Sequence, residues 1–243
     1  SKRRPSRVAE RHKLCYPVWI EKETDSSGPR KAGYRMQFYI LRHGETALNA
    51  KGVMQGRLDE PLNQSGRELA ALTGKAIKGI HFDRCISSPL CRARETAELV
   101  LRESGNAPSM ELDDRIQEID FGDLEGKNLS EMGEAGILFL SDPFHFAGFP
   151  NGETIQDVCA RTQAFLKELI ARDDGKTYLI STHGCAMRAM VHFLTDHPAD
   201  FWGGHAPYNC SFTIVEAENG DARITAVDQV FYDKSLIVDH YKQ

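Results

Sequence analysis

The chain has 243 residues, 41% of them hydrophobic and 27% charged; it is long and apolar enough to bury the core of one large α/β domain or two small ones, which excludes a chain too polar to fold. Its formal charge of −5 is uneven, since residues 1–35 hold 10 Lys and Arg against 4 Asp and Glu, leaving 20 against 31 from Met36 onward. An acidic body argues against broad nucleic-acid binding, although a local basic pocket can still draw in a small anion.

Residues 1–35 read as a basic N-terminal extension without period, broken by Asp25-Ser26-Ser27-Gly28-Pro29, and residues 36–243 as the folded domain. Phe38-Tyr39-Ile40-Leu41 is a buried strand closed by Arg42-His43-Gly44. Ser65-Gly66-Arg67-Glu68 has the spacing of a capping box, and Leu69, Leu72, Ala76 and Ile77 give the stripe of a helix over about 65–79. Arg84 to Ser87 reads as a short strand. Pro89 suits the first turn of a helix that Ala93, Ala97 and Val100 carry toward Gly105. Glu153 to Ala171 is an amphipathic helix, 177–182 a strand closed by His183-Gly184, and Ala186 to Leu194 a further helix. Phe212 to Glu216 and Arg223 to Val230, with Asn219-Gly220 between them, form a hairpin. Strands alternating with helices predict an α/β fold of three layers, a mostly parallel sheet with helices on both faces and its ligand site beyond the carboxyl ends of the strands.

Six cysteines at 15, 85, 91, 159, 185 and 210 include no C-x-x-C pair, so reduced thiols and a cytoplasmic location are expected. No apolar run approaches the ~18 residues that cross a bilayer, and no membrane association is expected. His81, His145, His192, His197 and His205 fit no ligand spacing and are read as structural, so no metal or other cofactor is expected.

Two strand ends each deliver an imidazole, His43 and His183, and Ser87-Ser88 leads into a helix with Arg92 in its first turn. One imidazole can attack phosphorus through a ring nitrogen while Arg42, Arg92 and the other imidazole hold the charge on the phosphoryl oxygens. For His43 to attack, its nitrogen must be unprotonated near neutrality, a state that Arg42 beside it favours, while its other nitrogen is expected to donate to a backbone carbonyl.

Leu41-Arg42-His43-Gly44-Glu45-Thr46, Ser88-Pro89-Leu90-x-Arg92-Ala93-x-x-Thr96-Ala97 and Ser181-Thr182-His183-Gly184 together resemble the histidine phosphatase (phosphoglycerate mutase-like) superfamily, from about Met36 to Tyr232. The resemblance implies that His43 becomes a phosphohistidine, that Arg42, Arg92 and His183 with Gly184 form the phosphate pocket, and that Glu118 protonates the leaving oxygen. It also matches Asn49 to a phosphate contact in a motif continuing to Gln55-Gly56. Asn49 equally suits the cap of a turn, and for Glu118, near Asp120, Asp123 and Glu125, a solvated acidic face is the lesser alternative. Where the mutase branch follows its acid with Arg-His-Tyr-Gly, this chain has Ile119-Asp120-Phe121-Gly122, and Phe149-Pro150-Asn151-Gly152-Glu153-Thr154 resembles the phosphatase branch. The expected activity is therefore metal-independent hydrolysis of a small phosphorylated metabolite. The alternatives are mutase-type phosphoryl transfer and a non-catalytic phosphate-ligand binding protein. Residues 129–149 either cover the pocket or pack on themselves, and Gln55, Arg57 and Lys127 are candidates to meet a hydroxyl or second anion.

Overall fold

The structure, a computed structural model, describes residues 34–238. All but the last two residues of the basic extension, and Cys15 with it, lie outside that range. Six strands, β1 (Met36–Arg42), β2 (Arg84–Ser87), β3 (Met110–Leu112), β4 (Thr177–Thr182), β5 (Phe212–Glu218) and β6 (Asp221–Gln229), form one sheet in the order β3-β2-β4-β1-β5-β6. The first four are mutually parallel, and β5 and β6 add an antiparallel edge. The hairpin turns at Asn219 and Gly220, whose φ values of 55° and 82° match the twist of the strands they join.

Alternation along β1 and β4 divides the interior. Phe38, Ile40, Tyr178 and Ile180 pack with Phe165, Leu166 and Leu169 of α5 (Ile155–Ile170) and with Met187 and Met190 of α6 (Gly184–Val191). Leu41 and Leu179 point to the opposite face, against Ala70 of α2 (Gln64–Ala76) and Ala97 and Val100 of α3 (Cys91–Ser104). Helices thus cover both faces, because a parallel strand buried on both sides needs two layers of apolar partners. A third cluster, with Phe121, Phe139, Phe146, Phe149 and Phe201, forms beyond the sheet and includes α4 (Glu134–Ser141).

Several boundaries differ from the sequence reading. The α2 cap is Asn63 rather than Ser65: its amide oxygen accepts from Gly66 N at 2.8 Å while its nitrogen donates to Glu45 at 2.6 Å, so a second contact fixes the cap. Helix α3 starts at Cys91 instead of Pro89, because Leu90 is extended and its N–H is taken by the Ser88 hydroxyl. Helix α6 begins directly after His183 and ends at Val191, with a single tighter turn over His192–Leu194. Strand β3 and helix α4 were unforeseen: three residues carry no period, and in α4 the apolar residues are not confined to one face.

A close approach fixes the loop after β1. A Cβ on Gly66 would lie 2.1 Å from the Glu45 carbonyl oxygen, and one on Gly44 would lie 2.7 Å from that of Gly66. Only paired glycines let α2 press against the loop that carries His43. Thr46 caps the single-turn α1 (Ala47–Ala50) beyond this loop, in a capping box with Asn49.

Candidate active site

Strands β1, β2 and β4 end side by side, with Leu41 in register with Ser181 and Ser87 in register with Ser181 on the other side of β4. Their carboxyl ends therefore bring His43, Ser88 and His183 together from three parts of the chain. The rings of His43 and His183 have centroids 5.1 Å apart. His43 Nδ1 lies 2.7 Å from the Gly44 carbonyl oxygen, which requires a proton on Nδ1 and leaves the lone pair on Nε2. Arg92 Nε donates to that Nε2 at 3.3 Å.

Arg92 is 1% exposed, and among the described residues no carboxylate is hydrogen-bonded to it. Its Nη1 donates to the Leu58 carbonyl at 2.6 Å and its Nη2 to the Gly56 carbonyl at 2.8 Å, so main-chain oxygens set the plane of the guanidinium. Gly56 reaches this position at φ 51°, with Glu125 Oε1 2.1 Å from where a Cβ would sit. Arg42 donates through Nη1 to the Pro207 carbonyl. A Cβ on Gly184 would be 3.5 Å from Arg42 Nε and 3.8 Å from Glu118 Oε2, so the guanidinium and the carboxylate both approach the same small residue.

Burial is the largest influence on both imidazoles. It holds His43 well below the ordinary imidazole value, and the charges of Arg92 and then Arg42 act in the same direction, against the Gly44 carbonyl. His183 is held down likewise, by burial first and then by Arg92 and His43. The sequence reading named Arg42 for this effect; desolvation and Arg92 outrank it. His183 Nε2 lies 2.8 Å from the Ser88 hydroxyl, which accepts from Leu90 N, so the hydroxyl proton is available to Nε2. With that hydroxyl as donor the ring proton sits on Nδ1, and in either tautomer this buried atom has no hydrogen-bond partner among the described residues.

Glu118 is half-buried at the amino end of α6, where its carboxylate accepts from Ile119 N, Ala186 N and Cys185 N at 3.0, 3.0 and 3.2 Å. It is a bound group and not part of a solvated acidic face. Its backbone is held by Arg161, which donates to the carbonyls of Gln117 and Glu118 at 2.7 and 3.0 Å and grips both oxygens of Glu153 at 2.7 and 2.9 Å. Asn49 is 1% exposed, and its amide oxygen receives Thr46 N and Asn209 Nδ2, the latter also donating to the His43 carbonyl at 3.0 Å. The turn cap is present, and Asn49 is linked to the His43 carbonyl through Asn209. Gln55 accepts from the Thr46 hydroxyl at 2.9 Å, behind the loop.

Sequence reasoning missed Ser88, Arg161, Pro207 and Asn209 as supports. Ser88 stood inside a motif and Arg161 on the polar side of α5, but no local pattern marks Pro207 or Asn209, which act through a carbonyl and an amide. His205, read as structural, is among the residues that line a cavity of about 330 Å³ opening from Arg42, Glu118 and Gly184. Arg57 turns to Glu153 at 3.4 Å instead of the cavity. Cys185 lines it, but burial raises its thiol well above the ordinary value, which suits a packed thiol and not a redox switch. The five described cysteines are all free. Among the described residues no helix is long and apolar enough to cross a membrane.

A sequence profile of the histidine phosphatase superfamily (branch 1) matches residues 38–229. The chain belongs to that family. It is 30% identical over 184 residues, 74% of this chain and 85% of the relative, to a probable phosphoglycerate mutase GpmB of Salmonella arizonae. Among solved structures it resembles YhfR of Bacillus stearothermophilus, with a TM-score of 0.74, 31% identity and coverage of 85% of this chain and 100% of the other. It also resembles the phosphoserine phosphatase of Entamoeba histolytica, with a TM-score of 0.70, 26% identity and coverage of 80% and 97%. The relatives include proteins named as mutases and as phosphatases.

Proposed function

We propose that this histidine phosphatase superfamily enzyme hydrolyses small phosphate monoesters without a metal, through a phosphohistidine on His43. The observation that carries the reading is the His43 ring: Nδ1 is locked on the Gly44 carbonyl and burial keeps the ring neutral, so Nε2 offers a lone pair to phosphorus. An arriving phosphoryl group takes over the Arg92 N–H that Nε2 holds, and the unpartnered His183 Nδ1 supplies another donor to its oxygens. The Glu118 carboxylate takes up the proton of an arriving phosphate monoester monoanion, and as the Nε2–P bond forms the P–O ester bond breaks and the leaving oxygen takes that proton from the neutral acid. Water then attacks phosphorus and gives a proton to Glu118; as the new O–P bond forms the Nε2–P bond breaks, which returns the lone pair to His43 and releases phosphate.

Hydrolysis is favoured over mutase transfer by the residues directly after Glu118. Ile119 and Phe121 are 0% and 2% exposed within the aromatic cluster, so this stretch brings packing where the mutase branch brings a cation for a carboxylate. The relative named as a phosphoserine phosphatase supports the same choice, and the one named as a probable mutase marks the alternative.

The test is incubation with a labelled phosphate monoester in the presence of chelator, followed by isolation of protein-bound phosphate. Wild type is expected to carry label on His43 and release inorganic phosphate, while His43→Ala loses both, a fall in kcat/KM on the order of 10⁴-fold or more. Label retained by His43→Ala would reassign the nucleophile. Exchange between phosphoglycerates without net phosphate release would favour the mutase.

A further inference from the structure

The phosphoryl group occupies only one end of this site, so the remainder of a substrate must enter the cavity that opens from Arg42, Glu118 and Gly184. Its size is at the lower end of ordinary small-molecule sites and suits a single ring or a short branched chain. The wall away from Arg42 is made by Met54, Phe121, Phe139, Leu140 and Trp202. The rings are fixed by one another: Phe139 meets Phe121 and Trp202 edge-on, at centroid distances of 5.6 and 5.1 Å. Trp202 spends its indole N–H on the Phe139 carbonyl at 3.1 Å, so that donor is not offered to a ligand.

Charge is as informative as shape. Among the described residues no lysine lines the cavity, and Arg42 is the only arginine that does. His205 lines it, but its Nδ1 contacts the Ala206 carbonyl at 2.8 Å and its Nε2 lies 3.5 Å from Asp228, so both ring nitrogens already face oxygens of the protein. The other charged groups in the wall, Glu118 and Asp200, are acids. A second anionic group on the substrate would leave water for a wall of rings and carboxylates, with no cation among the described residues beyond the phosphate end to receive it.

Resting on the hydrolase reading, we infer that the preferred substrates are phosphate monoesters of neutral, largely apolar alcohols, and that phosphorylated acids are disfavoured by this wall. The test compares kcat/KM for two unactivated alkyl esters, 2-phenylethyl phosphate and 3-phosphoglycerate, so that leaving-group activation does not decide the outcome. Burial of the phenyl ring is expected to favour the first by roughly tenfold or more. Leu140→Lys, at a wall position 44% exposed and so able to take a charge without unfolding α4, is expected to shift the ratio toward 3-phosphoglycerate by roughly tenfold. Equal or reversed preference in wild type, or a ratio unmoved by Leu140→Lys, overturns the inference. Hydrolysis of p-nitrophenyl phosphate but not of 2-phenylethyl phosphate also overturns it and leaves the hydrolase standing. Absence of both hydrolysis and His43 labelling defeats the hydrolase reading itself, and the substrate inference with it.

Discussion

At the carboxyl ends of β1, β2 and β4, polar side chains are held largely by main chain: His43 by the Gly44 carbonyl, Arg92 by the carbonyls of Leu58 and Gly56, Arg42 by that of Pro207, Glu118 by three N–H groups. A few ångströms further out, the cavity wall is held by ring edges against ring faces, Phe121 on Phe139 and Phe149, and Phe139 on Trp202. Hydrogen bonds to backbone fix direction to within a fraction of an ångström, which an in-line transfer requires. Edge-to-face packing fixes volume and polarity while tolerating change of shape. The two regions divide the work of the site: one sets the reaction, the other sets what is attached to the phosphate.

The largest effect that would sharpen this division belongs to Glu118→Gln. The amide keeps shape but cannot supply a proton, and esters with poor leaving groups are expected to lose about 10²–10⁴-fold in kcat, activated aryl esters far less. A steady-state comparison of an alkyl and a nitrophenyl ester checks this. Equal losses on both would move the acid elsewhere.

A second break point lies beneath the junction of the two regions. Arg188 on α6 pairs with Asp228 on β6 at 2.5 Å, both 7% exposed, and Arg188 also donates to the His205 carbonyl at 3.2 Å. This pair therefore anchors the segment 205–207, which presents His205 to the cavity and the Pro207 carbonyl to Arg42. Asp228 sits at φ 51°, a conformation that asparagine tolerates equally, so Asp228→Asn removes the charge without changing the backbone demand. Leaving Arg188 buried without its counter-charge is expected to cost about 3 kcal/mol in chemical denaturation. The same variant is expected to raise KM more than it lowers kcat. A change of less than about 0.5 kcal/mol would mean that the anchor is not the ion pair.

The phosphate end was legible in the sequence because each of its members closes or opens a regular element: Arg42 and His43 end β1, His183 ends β4, Arg92 opens α3. A strand end is a fixed place, so a short local pattern determines where the side chain goes. The apolar wall of the cavity was legible only as residues 129–149, which supply Leu129, Phe139 and Leu140 to its lining. Phe121, Phe139 and Trp202 come from three stretches without shared period, and their meeting depends on contacts that no local spacing encodes. The same holds for Asn209, placed beside His43 by the register of β1 with β5 and not by its own neighbours. The apparent capping box at Ser65 shows the opposite error, since a correct local pattern lost to Asn63, whose side chain finds a tertiary partner in Glu45.

The smallest effect contrasts the buried imidazoles with the same residues in the unfolded chain. His43 and His183 are 3% and 0% exposed, and their native values lie well below 6.5, by burial first and by Arg92 next. Below pH 6.5 the unfolded chain takes up protons on these residues that the native protein does not, so the free energy of unfolding falls as pH is lowered from there and levels off only below the native values. The midpoint of thermal unfolding is therefore expected to drop between about pH 7 and pH 5. In His43→Ala one of the two contributions is gone, so its curve should fall less steeply and converge on wild type toward acid. Saturating inorganic phosphate should flatten the wild-type curve as well, because an anion beside both rings favours the imidazolium that burial opposes. If the wild-type and His43→Ala curves run parallel across this range, His43 is not desolvated in solution as it is at the end of β1, and the neutral nucleophile loses its physical basis.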